Sequence, residues 1–392
     1  MVKVLKYTLD FGTSNTLLGA VTELGRVKSI PLDFKNEEDT HVLKSLIYTP
    51  SEHEWYFGNE CYSKYLECEG EGRFFRSFKT LLSRESFEGT MIHGSRVDVV
   101  SLIARFLREV RHRANSFYQQ DVTTVTCGRP VRFGDSKRAD DLALARLSEA
   151  LKLAGFEEID FSYEPVAALK EMDLNFEEEK NILIADIGGG TSDFSVVKMK
   201  GSKFSEDNIL SVGGVNVAGD NFDFSLMKDF VMPELGSRVK YTKSGSTIEH
   251  GISRVLLSKL CSPSIFSLIN DTQIQSFLEE AFDYVENEDD LKKLESLESL
   301  FDEKLGFDLM RVIEKMKMNL SSSESENLLY DKRGVKIKKS ITREDYEDSS
   351  ACVIRKIQDE MTRVVKDSGV EIDLIIPIGG CVKNPLIGKI LA

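Results

Sequence analysis

The sequence predicts an α/β protein of two lobes around a central ligand cleft, and two observations carry that prediction. One short pattern occurs twice: Tyr7–Thr16 reads Y-T-L-D-F-G-T-S-N-T, and Ile184–Asp193 reads I-A-D-I-G-G-G-T-S-D. Strand-type and helical stretches also run through a chain of 392 residues, too many for one core. In each copy an apolar strand delivers an aspartate, Asp10 or Asp186, into a glycine-bearing turn with small hydroxyl residues. The chain then leaves as a second apolar run, Leu17–Val21 or Phe194–Val197. Strand, Asp-x-Gly turn, strand describes a tight β-hairpin.

Glycine lets such a turn bring backbone N–H groups close to an anion, and threonine and serine add hydroxyl donors. Two aspartates beside phosphate require a divalent cation between them. A lone Asp-Gly turn is usually only a turn. Two of them, about one domain apart, point to a duplicated unit whose copies share one ligand, a metal–nucleotide polyphosphate.

The balance of charge limits the partners. A formal net charge of −14 argues against a general binder of nucleic acid or anionic membrane, although one nucleotide needs only a local donor cluster. Met1–Lys6 leads straight into a strand without a signal-peptide block, and no apolar stretch reaches membrane-spanning length. Six cysteines show no C-x-x-C pair, and five histidines are dispersed, which predicts reduced thiols, no zinc site and a cytoplasmic protein.

The remaining elements follow in chain order. Ser45–Thr49 and Trp55–Phe57 are strand-like, and Val99, Leu102, Ile103, Phe106 and Val110 mark a helix over Asp98–Phe117. Val122–Cys127 reads as a β-branched strand, Ser136–Ala154 as a helix capped by Gly155, and Glu158–Tyr163 as a strand entering E-P-V-A-A (Glu164–Ala168). An acidic loop, Asn175–Lys180, is expected to separate the halves. Phe224–Phe307 reads as mostly helical, with Leu291, Leu294, Leu297, Leu300 and Phe301 as the core of an insertion. Leu309–Leu320 is a further helix. Thr342 and Asp345 have capping-box spacing ahead of a long helix faced by Tyr346, Val353, Ile357, Met361 and Val364. Leu374–Ile378 is expected as a buried-type strand ending in Gly379-Gly380, with a helical start at Pro385–Leu391.

A strand that ends in Gly-Gly before a helix lets a ligand approach backbone. With both hairpins and E-P-V-A-A, it gives the set a specific resemblance. The chain resembles the sugar-kinase, heat-shock-chaperone and actin ATPase superfamily, and within it the nucleotide-binding domain of the DnaK-type seventy-kilodalton heat-shock chaperones. Gly155–Leu169, Cys127–Phe133 and Leu226–Gly236 resemble the divergent YegD-like branch more closely still. The resemblance is weak over Ser237–Phe307.

It implies an actin-like ATPase fold, a duplicated ribonuclease H-like unit. The first lobe would span 1–178 with an insertion near 30–115, and the second 179–392 with a helical insertion near 224–307. It also implies ATP or ADP with magnesium as cofactors, and an unfolded polypeptide, co-chaperone or exchange factor as partner. Gly12, Thr13, Ser14 and Asn15 would form the first phosphate loop, and Gly188, Gly189, Gly190 and Thr191 the second. Asp10 and Asp186 would hold magnesium through water. Lys79 would reach the terminal phosphate, with Glu164 positioning water and metal and Thr191 nearby. Gly219, Glu314, Lys317, Met318, Ser321, Gly379, Gly380, Cys381 and Lys383 would surround adenosine.

The chain also departs from the family. Met318 and Lys383 replace arginines that cover the adenine faces and lack a guanidinium stack. Cys381 replaces a serine, and Ala218 a glycine. No peptide-binding domain follows Ala392, nor the helix that would return to the first lobe. Either the sequence is a piece of a longer chain or that element is lost. A slow chaperone-like ATPase that closes its lobes on nucleotide is the leading reading. The alternatives are a small-molecule kinase, for which no second aspartate motif supplies a base, an actin-like filament protein, and a nucleotide sensor without turnover.

Overall fold

Strands β1 (Val4–Phe11) and β2 (Asn15–Thr22) form the first expected hairpin, with Asp10 opposite Leu17 and Phe11 opposite Thr16. The computed structural model describes residues 2–36, 39–134, 136–164, 175–201, 206–266 and 271–391. Strand β3 (Thr124–Arg129) joins β1 in parallel, and β4 (Glu158–Tyr163) joins β3 in parallel. The sheet order is therefore β4-β3-β1-β2 and then Val27–Ser29, with Leu43–Lys44 also pairing β2. Its core gathers Tyr7, Phe11, Phe78 and Phe106 with the apolar stripe of helix α1 (Val99–Tyr118). The Asp98 carboxylate caps α1 by accepting from Ser101 N at 2.8 Å, and Gln119 ends it at φ 53°. Helix α2 (Lys137–Leu153) packs against α1 and is capped by Ser136.

The second half repeats this plan. Strand β5 (Phe176–Ile187) turns into β6 (Ser192–Gly201), and β7 (Ile209–Val215) continues the antiparallel ladder. Strand β8 (Leu374–Ile378) joins the other side of β5 in parallel. Each sheet thus holds an Asp-bearing strand with an antiparallel hairpin partner on one side and a parallel neighbour on the other. That shared order is the structural form of the sequence repeat. Around it lie α3 (Gly219–Leu226), α4 (Gly306–Leu320) and α5 (Arg343–Ser368). Helix α5 packs on β6 and β7, and its Thr342–Asp345 capping box is formed in both directions. Leu294, Leu297 and Leu300 of the helix Glu288–Asp302 enter the same core as Phe194, Phe222 and Tyr346.

Two expectations fail here. Asn175–Lys180 is not a loop: from Phe176 the segment is strand, with Phe176 opposite Gly201 and Lys180 opposite Met199 across a bulge. One of its acidic residues, Glu179, pairs with Lys198 of the partner strand at 3.0 Å. Nor is β8 buried. Among the described residues it pairs only with β5, and Leu374 remains 38% exposed at this sheet edge. Pro165–Ala168 of E-P-V-A-A lie outside the described residues. All six cysteines are free, and among the described residues no helix is long and apolar enough to cross a membrane.

Candidate functional site

The two hairpin turns meet. A Cβ on Gly189 would lie 2.1 Å from Ser14 Oγ, and one on Gly190 would lie 2.6 Å from Thr13 Oγ1. Glycine at both positions is what lets the turns approach so closely. Within the first turn, a Cβ on Gly12 would strike Asn15 O at 2.3 Å. Ser45 holds that turn from outside, its hydroxyl donating to Gly12 O at 2.7 Å and its N–H to Ser14 O at 2.9 Å. The second turn is closed by Gly188 N donating to Thr191 O at 3.0 Å.

Lys79 and Glu164 stand at this junction. The ammonium donates to Glu164 Oε1 at 3.0 Å, with only 5% and 16% of the two side chains exposed. Burial works against the charge on Lys79, but Glu164 and Asp10 outweigh it and its pKa is raised. Asp186 titrates well above the ordinary carboxylate range. Burial is the largest cause, followed by repulsion from Glu164, Asp193 and Asp10. Asp193 lies directly across the ladder from Asp186. Burial and then Glu164 push its pKa up to about 7, although Val131 N donates to it at 2.7 Å and Thr191 also hydrogen-bonds it.

Four carboxylates around one lysine are short of positive charge. Asn15 Oδ1, also at this junction, is a buried acceptor with no hydrogen-bond partner among the described residues. This donor set fits a hydrated divalent cation. Among the described residues, no three His, Cys, Asp or Glu side chains converge tightly enough to ligate a metal directly. Magnesium, which keeps several of its waters, suits that arrangement.

A third element closes on the second turn. Gly219 N donates to Gly188 O at 3.1 Å, and Asp220 N to Gly189 O at 2.7 Å, so the start of α3 is stitched to the turn. Cys381 Sγ donates to the same Gly188 O at 3.0 Å, and burial raises its thiol pKa to about 11. Gly379, at φ 89°, passes so near β5 that a Cβ would lie 2.4 Å from Ile187 O and 2.8 Å from Asp186 Oδ1. Gly380 begins the short turn that follows.

Further along the cleft, Lys317 pairs with Asp223 at 2.9 Å and donates to Gly219 O at 3.3 Å. Arg76 reaches from the first half to Glu314 at 3.6 Å and Asp223 at 3.8 Å. The space there, between Thr13, Ser14, Arg76, Arg311 and Glu314, is only about 20 Å³.

The structure thus gathers Asp10, Lys79, Glu164, Asp186, Thr191 and both turns, with Gly219, Gly379, Gly380 and Cys381 adjoining. Glu314 and Lys317 sit on the adjacent ion-pair network. Met318 is 63% exposed on α4, Lys383 is exposed, and Ser321 turns its hydroxyl back to Lys317 O at 3.3 Å. These three are not tied to the turns by hydrogen bonds or ion pairs among the described residues.

Sequence reasoning missed Asp193, Arg76, Asp220, Asp223 and Ser45. For Asp193 the signal was available. Pairing the hairpin strands outward from the Gly-Gly-Gly turn places it opposite Asp186, and like charges in that position are costly unless used.

Comparison with known proteins agrees with this architecture. Residues 84–248 match the family described as Hsp70 protein. A chaperone protein dnaK of Thalassiosira pseudonana is 24% identical over 297 residues, which is 74% of this chain and 38% of that protein. A chaperone protein HscA homologue of Photobacterium profundum is 26% identical over 249 residues, covering 58% of this chain and 37% of that protein. A dnaK chaperone of Trieres chinensis is 33% identical over 125 residues, covering 32% and 19%. The chain therefore spans less than half the length of each of these relatives. Together the matches show that the chain is similar in part to Hsp70 proteins.

Proposed function

We propose that this chain is a chaperone-like nucleotide-binding unit that takes Mg-ATP between its two halves and hydrolyses it slowly to ADP and phosphate. The carrying observation is the contact of the two Asp-Gly turns, Gly189 on Ser14 and Gly190 on Thr13, with the Lys79–Glu164 pair at the same junction. Turn N–H groups and the hydroxyls of Thr13, Ser14 and Thr191 would bind the phosphates. Asp10 and Asp186, with Asp193 behind, would hold magnesium, which neutralises phosphate charge when bound. Lys79 keeps a proton in a buried place and places positive charge on the transferring group. Glu164 orients that lysine and offers a carboxylate to the attacking water.

On this reading the first half is 1–178 and the second 179–392, and nucleotide changes the angle between them. The partial matches to DnaK and HscA chaperones favour polypeptide-linked work over metabolism. The test is single-turnover release of phosphate from Mg-ATP by the purified chain, together with calorimetric titration of Mg-ADP. Failure to bind Mg-ADP at millimolar concentration would remove the proposal.

A further inference from the structure

The meeting turns stand between two spaces. On one side is the narrow gap toward Arg311 and Glu314, where the adenosine residues begin. On the other is a cavity of about 350 Å³, at the lower end of the range for small-molecule sites. Thr13 borders both. Glu314, Lys317, Gly379 and Cys381 do not border the larger cavity. It runs from Lys79 and Thr191 past Phe133 to Ser264 of the second half. A polyphosphate entering from the adenosine side would aim its last group into this space.

Arg84 also lines this cavity. It is half-buried, and its guanidinium has no carboxylate or carbonyl partner among the described residues. The other enclosed arginines nearby are all occupied: Arg76 faces Glu314 and Asp223, Arg129 pairs with Asp140 at 3.0 Å, and Arg146 donates to the Leu81, Leu82, Arg84 and Phe87 carbonyls. Burial depresses the Arg84 pKa, and no charge among the described residues opposes it. Buried charges are ordinarily paired, and arginine's planar fork matches a carboxylate or phosphate in two bonds. Ser83, Ser136 and Ser264 line the same cavity.

We infer that this cavity is a second ligand site for a small oxyanion, a phosphate or the carboxylate of a small acid, held by Arg84 just beyond the terminal phosphate position. Two sources share that chemistry. One is the orthophosphate cleaved from nucleotide on its way out, and the other is an independent small acid. The site stands on the cavity and Arg84, so it does not require the nucleotide reading to be right.

Calorimetric titration of the whole chain with inorganic phosphate and with succinate tests this, each with and without saturating Mg-ADP. Wild-type protein is expected to bind at least one of them. Arg84→Ala should weaken that binding about ten- to hundredfold, the worth of a charged hydrogen bond, and Arg84→Lys should keep part of it. Ser264→Leu, which fills the cavity from the opposite half, should weaken it too and decides the matter if Arg84→Ala fails to fold. Mg-ADP affinity should be unchanged in Arg84→Ala, which separates this site from the nucleotide site. Phosphate binding that persists beside Mg-ADP identifies the released product, and a preference for succinate identifies a separate small acid. Absence of binding by wild type at millimolar concentration, or equal binding by the variants, overturns the inference.

Discussion

Phe307, at the start of α4, lies on the ring of Phe74 with centroids 3.6 Å apart and planes at 25°. Tyr65 meets Phe307 edge-on at 5.1 Å and Tyr62 stacks on it at 5.5 Å. Phe74, Tyr62 and Tyr65 belong to the first half, Phe307 to the second, so one aromatic side chain clasps the cleft. The clasp is reinforced where Tyr65 Oη donates to Lys304 O and Lys304 pairs with Glu71 at 2.5 Å. Arg76 crosses the same cleft to Glu314.

On the proposed reading, nucleotide leaves when the cleft opens, and opening would break this contact. Aromatic pairs of this kind contribute about 0.5–1.5 kcal/mol each, and losing the worth of even one pair corresponds to about two- to thirteenfold, so Phe307→Ala should speed release of a fluorescent ADP analogue by at least that much. Stopped-flow displacement measures it. An unchanged release rate would show that the clasp does not gate the site.

Lys79 is buried against Glu164 and holds its proton. Replacing it by alanine removes a positioned charge without touching the turn glycines. Lys79→Ala should bind Mg-ATP normally and hydrolyse it on the order of 10²-fold more slowly in single-turnover assays. Hydrolysis at the wild-type rate would return Lys79 to a structural role with Glu164.

The parts of this site that were legible in sequence are those governed by local chemistry. Both hairpins follow from an apolar run, an Asp-Gly turn and a second apolar run, and the α5 capping box follows from Thr342 and Asp345. The glycine turns stand out through their own motifs, while Lys79 and Glu164 entered through the family resemblance. What escaped depends on partners distant in sequence. Arg76 has no local mark, and only the folded cleft brings it beside Glu314 and Asp223. The acidic run after Asn175 looked like a loop because its basic partner strand lies about twenty residues later, at Lys198. The exposure of β8 likewise reflects its place at a sheet edge, which composition does not reveal.

Asp186 faces Asp193 across the ladder and feels Glu164 and Asp10 as well. Its charge is a burden on the protein without a cation and an asset with one. Asp186→Asn should therefore raise the melting temperature of the metal-free protein by a few degrees while severely weakening Mg-ATP turnover. Scanning calorimetry with a chelator and a phosphate-release assay read the two effects. A melting temperature that falls, or turnover that survives, would contradict the assignment of this carboxylate to the metal.

Asp220 offers a pH test outside the metal cluster. Burial lifts its pKa to about 6, Arg76 opposes the rise, Asp223 adds to it, and a Ser77 hydrogen bond and Lys317 lower it again. A carboxyl raised in the folded state stabilises the protein fully below its unfolded pKa of roughly 4, and that contribution is lost as pH rises through about 6. The full shift would correspond to about 3 kcal/mol, and because Asp220 also borders the open cavity a value of about 1–2 kcal/mol is expected. Asp220→Asn keeps the shape and a hydrogen-bonding group but cannot ionise. Urea denaturation of both proteins from about pH 4 to 7 isolates this group, since Asp186 and Asp193 titrate alike in each. Wild type should lose stability relative to Asp220→Asn as pH rises across that window. Parallel curves would mean that Asp220 is ionised throughout, with Arg76 and Lys317 holding it so.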